Sequence, residues 1–353
     1  MEREARDRRK GNRRRIGRTV RSGCALLLLL LVAGRAPDAR AQASGGGIAG
    51  DRHAVLIGGL GGNPAYTETF SGYLRDTRAA LVDRAGFVET NVLVLAEQAI
   101  ADEPFVDGVS TAEAIRAHFT ELADRLTADD HLYVILYGHG SFDGSNARLN
   151  IPRRDLDDFD YAALLDGVPA GRVVFVNTTS ASGPFAAALS APERIVITAT
   201  ASGTERDETI FPRFFADALR NPDADLDKNG GLSVLEAFTY AAQRTGRYYE
   251  ESGQLATEHP QLEDNADGSG SRVDALDGED GNLASITYIR PRPDLASVSA
   301  AARPLLQEKE TLERIIAETK NRKAEMTEDA YYAELEELFV RLARLNERMD
   351  SIQ

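Results

Sequence analysis

Seven residues between Asp225 and Glu236 carry donors and a turn at a spacing that suits a hard divalent cation. The stretch reads D-L-D-K-N-G-G-L-S-V-L-E. Asp225, Asp227 and Asn229 present side-chain oxygens at alternate positions, and Gly230 allows a sharp turn. Gly231 then offers its carbonyl, Ser233 a water-bridged contact, and Glu236 two oxygens from the start of the next helix. Calcium takes about six to eight oxygen ligands at a flexible radius, which this set can supply. A second pair of residues suggests different chemistry. His139 stands between two glycines after one apolar run, and Ser180 follows another. A His beside glycines is either a turn residue or a base. A hydroxyl facing an imidazole across two strand ends is a nucleophile–base arrangement.

Position for position, residues 225–236 match the twelve-residue EF-hand calcium loop, with Leu232 as its apolar anchor. Phe211 to Arg220 reads as the entering helix and Leu235 to Tyr249 as the exiting one. No second loop of that quality is found. Residues 263–270, E-D-N-A-D-G-S-G, are acidic and Gly-rich but lack the spacing and the terminal Glu. They read as a disordered acidic loop or as a looser cation site. A lone EF-hand suits a structural clip better than a switch.

The elements that must position His139 and Ser180 are strands. Tyr133 to Tyr137 is an unbroken apolar run ending in Gly138-His139-Gly140-Ser141, and Arg172 to Asn177 (RVVFVN) is another. Runs without alternation belong to strands covered on both faces of a parallel sheet. His53 to Gly58, Asn91 to Ala96 and Arg194 to Thr200 read the same way. Helical segments at 70–85 and 110–126, the latter with Thr111 as N-cap, alternate with them. That order implies right-handed crossovers and a mostly parallel sheet, with ligands at the strands' carboxyl ends. Pro184 to Leu189 and Asp160 to Leu165 read as short helices, and Ala284 to Ile289 (ASITYI) as a last strand. The polar stretch from Ser141 to Asp160 reads as a loop, either lining a cleft or merely solvated. Gly58-Gly59-Leu60-Gly61-Gly62 lacks both the P-loop Lys and the spacing of a dinucleotide fingerprint.

A buried strand ending in His-Gly, followed by one ending before a Ser-Gly, resembles the legumain-like branch of the caspase-fold cysteine peptidases. The resemblance covers about residues 51–220. It implies a caspase-like three-layer α/β domain over 51–290, with His139 as general base and Ser182-Gly183 on the family's Ser-Gly. The family's nucleophilic Cys falls on Ser180, so the residue that defines cysteine peptidase activity is missing. Three readings stay open: an inactive homologue keeping its cleft for a peptide or protein ligand, a serine hydrolase using Ser180 and His139, or a calcium-dependent interaction protein. A hydroxyl gives up its proton less readily than a thiol and needs a well-oriented base.

The ends of the chain read separately. Residues 1–41 combine an Arg-rich segment, a short apolar run from Cys24 to Ala33 and Ala39-Arg40-Ala41, the pattern of a secretory signal peptide. The expectation is an exported product, periplasmic or extracellular, starting near Gln42. The segment at Asn12-Arg13-Arg14-Arg15-Ile16 loosely resembles a twin-arginine signal. Residues 42–50 read as a Gly-rich linker. The chain carries −15 overall; without residues 1–41 it keeps 29 basic against 52 acidic residues, near −23. Such a surface excludes nucleic acid and anionic membranes as partners. Cys24 is the one cysteine, so the processed chain has no disulfide and no thiol nucleophile. Beyond Arg290-Pro291-Arg292-Pro293, residues 296–353 read as helix. Tyr331, Leu335, Leu338, Leu342, Leu345, Met349 and Ile352 form a heptad seam, and Leu305, Leu312, Ile315 and Thr319 a weaker stripe. This is an antiparallel hairpin or an arm for dimerisation.

Overall fold

The longest apolar runs of the sequence become the middle of one large sheet in the computed structural model, which describes residues 50–98, 105–276, 280–292, 303–323 and 326–350. The expected signal peptide and nearly all of the linker lie outside these residues. In chain order the strands are β1 (Arg52–Gly58), β2 (Val92–Ala96), β3 (Gly108–Val109), β4 (His131–Tyr137), β5 (Gly140–Phe142), β6 (Ala147–Leu149), β7 (Leu156–Asp157), β8 (Arg172–Asn177), β9 (Arg194–Thr198), β10 (Leu232–Ser233), β11 (Gln261–Glu263), β12 (Ser271–Arg272) and β13 (Tyr288–Arg290). The helices are α1 (Pro64–Ala79), α2 (Ala112–Arg125), α3 (Asp158–Asp166), α4 (Pro184–Leu189), α5 (Phe211–Ala218), α6 (Val234–Ser252), α7 (Asn282–Ile286), α8 (Arg303–Asn321) and α9 (Glu328–Asp350).

The fold is mixed α/β. Its main sheet runs β12-β11-β9-β8-β4-β1-β2-β3, parallel from β9 to β3. Only β11 and β12, at the other edge, are antiparallel. The order reverses at β1, which lies between β2 and β4, and β8 follows on the far side of β4. Successive side chains of a strand face opposite layers. Leu56, Tyr133 and Ile135 pack with Leu74 of α1, Phe211 and Phe215 of α5 and Phe238 of α6. Val55, Ile57 and Val134 pack with Ile115 and Phe119 of α2, Tyr161 of α3 and Phe185 of α4. That double burial is why the strand sequences show no polar alternation.

Several expectations are met closely and others are corrected. Thr111 caps α2, its hydroxyl accepting the Ala114 N–H at 3.2 Å. The first helix starts at Pro64, earlier than its apolar period suggests, because Asn63 accepts the Ala65 and Tyr66 amides. The stretch 141–160 is no open loop: β5, β6 and β7 form a small antiparallel sheet before α3. Residues 284–289 divide into α7 and β13 instead of one strand. The cause is Asp264, whose carboxylate accepts the Gly281 and Ala284 amides at 2.8 Å each and fixes a helical turn against β propensity. The acidic stretch after Glu263 is an ordered turn between β11 and β12, with Glu263 and Asp264 buried.

Helices α8 and α9 form an antiparallel hairpin. Thr319 lies opposite Glu334 and Glu308 opposite Arg348. Leu305, Leu312, Ile316, Tyr331, Leu335, Leu338 and Leu345 make its own apolar cluster.

Candidate functional site

His139 and Ser180 stand beyond the carboxyl ends of β4 and β8, two strands paired in register from His131–Arg172 to Leu136–Asn177. The strand order thus brings the two loops side by side. Their side chains, however, are turned to different partners. The Ser180 hydroxyl accepts the Gly140 N–H at 3.2 Å and donates to the Gly140 carbonyl, also at 3.2 Å. Ser180 is 4% exposed. Gly140 is needed for this approach, since a Cβ there would meet the Ser180 carbonyl oxygen at 2.0 Å. The next residue, Ala181, is held at φ +54° by a 2.7 Å bond from its N–H to the Glu205 carbonyl.

His139 is half-buried and bracketed by aromatic edges. Its ring centroid lies 4.7 Å from that of Tyr66 and 5.1 Å from that of Phe70, both near perpendicular. No hydrogen bond joins the imidazole to Ser180 or to a carboxylate among the described residues. Glu208 accepts the hydroxyl of Tyr66, one of the two rings against the imidazole, at 2.5 Å. The imidazole thus meets aromatic edges, and the hydroxyl of Ser180 meets the Gly140 backbone. Tyr66 and Phe70 were not legible as partners of His139. Their i, i+4 spacing on α1 signals a shared helix face, and nothing local says that the face meets a strand end.

Cavities add a further constraint. A pocket at the carboxyl edge, lined by Gly58, Thr67, Phe70 and Glu97, holds only about 10 Å³. A cavity of about 530 Å³ lies instead at the amino-terminal edge, where His131 and Arg172 begin their strands and α8 closes over them. It is far from His139 and Ser180, and it reflects the seam between hairpin and sheet. Burial, followed by Arg172 and Arg52, pushes the His131 imidazole down to about 4.

The oxygen-rich loop is built between α5 and α6. Ligand atoms of Asp225, Asp227 and Glu236 lie within 4.8 Å of one another. Asp225 accepts the Asn229 and Gly230 amides at 3.1 and 2.9 Å, and Asn229 Oδ1 accepts the Gly231 N–H at 2.7 Å. Glu236 accepts the Leu226 and Asp227 amides on Oε1, and the Ser233 N–H and hydroxyl on Oε2. The Gly231 carbonyl accepts Arg290 Nη2 at 3.0 Å, which leaves its second lone pair for an ion. Three carboxylates at this separation repel one another unless a cation or a proton intervenes. An all-oxygen set of this kind fits calcium: Asp225, Asp227, Asn229, Gly231 and Glu236 would hold the ion, with Ser233 acting through water. The strand of the loop, β10, is paired with β13 of the same chain.

No protein-family model matches the chain, and no curated protein matches it. Among the described residues, no helix is long and apolar enough to cross a membrane.

Proposed function

We propose that this protein is a calcium-binding, catalytically silent homologue of the caspase-fold peptidases, of legumain-like ancestry, whose strand-end surface receives a peptide or protein ligand. The observation that carries this reading is the Ser180 hydroxyl, whose hydrogen bonds run to the Gly140 backbone and not to His139. Ancestry is supported by the strand order, with His139 after the third long parallel strand and Ser180 after its neighbour. Calcium is supported by the convergence of Asp225, Asp227 and Glu236 between two helices. Export is supported by the signal-like residues 1–41 and suits an ion that is abundant outside cells. The absence of Cys from Gln42 onward removes the thiol that the family's chemistry needs.

The test is activity-based labelling of the purified protein. A fluorophosphonate probe is expected to leave Ser180 unmodified, and asparaginyl and aspartyl peptide substrates are expected to stay intact. Labelling that disappears in Ser180→Ala would replace this reading with that of a serine hydrolase.

A further inference from the structure

The turn between β11 and β12 repeats the calcium loop's framework residue by residue. Glu263, Asn265, Asp267, Gly268, Ser269 and Ser271 fall at the spacing of Asp225, Asp227, Asn229, Gly230, Gly231 and Ser233. In the first loop the fifth-position amide, of Asn229, donates to Asp225 and Asp227. In the second the corresponding amide, of Asp267, donates to Glu263 at 3.1 Å and to Asn265 at 2.9 Å. The seventh-position amide donates to the fifth side chain in both: Gly231 to Asn229 at 2.7 Å, Ser269 to Asp267 at 2.7 Å. The backbone follows the same path, with positive φ at the fourth and sixth positions: Lys228 and Gly230 at 59° and 84°, Ala266 and Gly268 at 65° and 78°.

The closing carboxylate also has a counterpart. Glu236 accepts the second-position amide, of Leu226, and the ninth-position Ser233 hydroxyl. Asp280 accepts the second-position amide, of Asp264, at 3.1 Å and the ninth-position Ser271 hydroxyl. It comes from beyond the twelve-residue window, so spacing along the chain does not reveal it.

One observation stands apart from this loop geometry. Glu263 is fully buried, and its Oε2 has no hydrogen-bond partner, while Oε1 takes the Asp267 amide and the Ser190 hydroxyl. A carboxylate oxygen buried without a partner is costly, and a bound cation is one group that removes the cost. No cationic side chain performs that role for Glu263 in the described residues.

We propose that Glu263, Asn265, Asp267, the Ser269 carbonyl and Asp280 form a second calcium-type site. It is the weaker of the two. Among the described residues only the first loop brings three carboxylates within 4.8 Å, so the second must contract around its ion. The donor set is again all oxygen, which selects calcium over softer metals.

The test is calorimetric titration of the full chain, stripped with chelator, using calcium alone. Two binding events are expected, the second at least tenfold weaker. Glu236→Gln is expected to leave the weak event, so the second site is read out even if the first loop behaves otherwise. Asp267→Ala, at an exposed position that leaves the core untouched, is expected to abolish the weak event and keep the tight one. Asp280→Asn supplies an independent variant, with folding checked by circular dichroism. A weak event that persists unchanged in Asp267→Ala and Asp280→Asn, or a single event in the native chain that vanishes with Glu236→Gln, overturns the proposal.

Discussion

Ser233 and Glu236 cap each other across the end of the loop from Asp225 to Glu236. The Ser233 N–H and hydroxyl both donate to Glu236 Oε2 at 2.8 Å, and the Glu236 N–H donates back to the hydroxyl at 3.2 Å. The pair makes a capping box at the start of α6, so the last carboxylate of the loop is positioned by the helix itself. An ion bound as proposed would meet a loop that is already shaped, and its binding free energy would go into the folded state.

The first prediction follows from that pair. At calcium about a hundred times its Kd, binding to the folded state alone stabilises by about 2.7 kcal/mol. Glu236→Gln is expected to lose most of this increment. Gln also fits this position of a capping box, and any change it makes to the cap is present without metal as well. The quantity to measure is therefore the difference in denaturation free energy between calcium and chelator, for each protein separately. An increment that is equal in both would show that Glu236 is not a ligand.

Ser180→Cys tests the strand-end geometry. A thiol at that position inherits a 4% exposed site beside the Gly140 backbone, with no imidazole bonded to it. The thiolate is the reactive form, and the Gly140 N–H at 3.2 Å, a neutral donor, is a weak support for it. The introduced thiol is expected to react with iodoacetamide at least tenfold more slowly than free cysteine. His139→Ala should leave that rate unchanged. Alkylation faster than free cysteine and dependent on His139 would mean that the pair is catalytically competent.

The parts of this architecture that the sequence reveals are those fixed by local rules. Val173 to Val176 and Leu132 to Tyr137 are unbroken apolar runs because both faces are covered, and that pattern needs no neighbour to be recognised. The oxygen-bearing residues from Asp225 to Glu236 are spaced by one turn and one helix start, so their convergence is local too. What escapes is decided by non-local partners. Residues 284–289 have strand-like composition, yet Asp264, twenty residues upstream of Ala284, caps them into a helical turn. Gly140 meets Ser180 forty residues away, and only the meeting of two loops decides where that hydroxyl points. Asp280 closes on Asp264 and Ser271 across a gap that no twelve-residue template contains.

The third prediction concerns pH. Glu258 is buried where it accepts the Ile210 and Phe211 amides at 2.6 and 3.1 Å, at the start of α5. Burial pushes its carboxyl from 4.5 up to about 7, although the amides oppose the shift. Between those values the folded chain holds more protons than the unfolded one, so stability falls as pH rises. The contribution is complete below about 4.5 and is lost as pH passes about 7. His131 acts in the opposite sense as pH falls from 6.5 towards about 4. A single-residue comparison therefore isolates Glu258. Glu258→Gln is expected to flatten the decline in urea-denaturation free energy over that window, in chelator. An unaltered slope would assign the pH dependence elsewhere.

The last prediction concerns the hairpin. Its apolar cluster is its own: Leu312 and Ile316 of α8 meet Tyr331, Leu335 and Leu338 of α9, and no residue of the two sheet-packed cores belongs to that group. Its polar tie to the rest includes the 3.1 Å contact of Arg292 with Glu313. A partly exposed ion pair of this kind contributes about 1 kcal/mol or less. Against that stands the seam cavity of about 530 Å³, where the hairpin shields His131 and Arg172 from water without packing tightly on them. Deleting residues 296–353 opens this seam but removes, among the described residues, no strand and none of the proposed calcium ligands. The truncated chain is expected to stay soluble, to melt cooperatively and to bind calcium with unchanged stoichiometry. A stability loss of about 1 kcal/mol corresponds to a melting temperature lowered by about 2–4 °C in a domain of this size. Aggregation, or a broad non-cooperative transition, would mean that α8 and α9 complete the core instead of standing beside it.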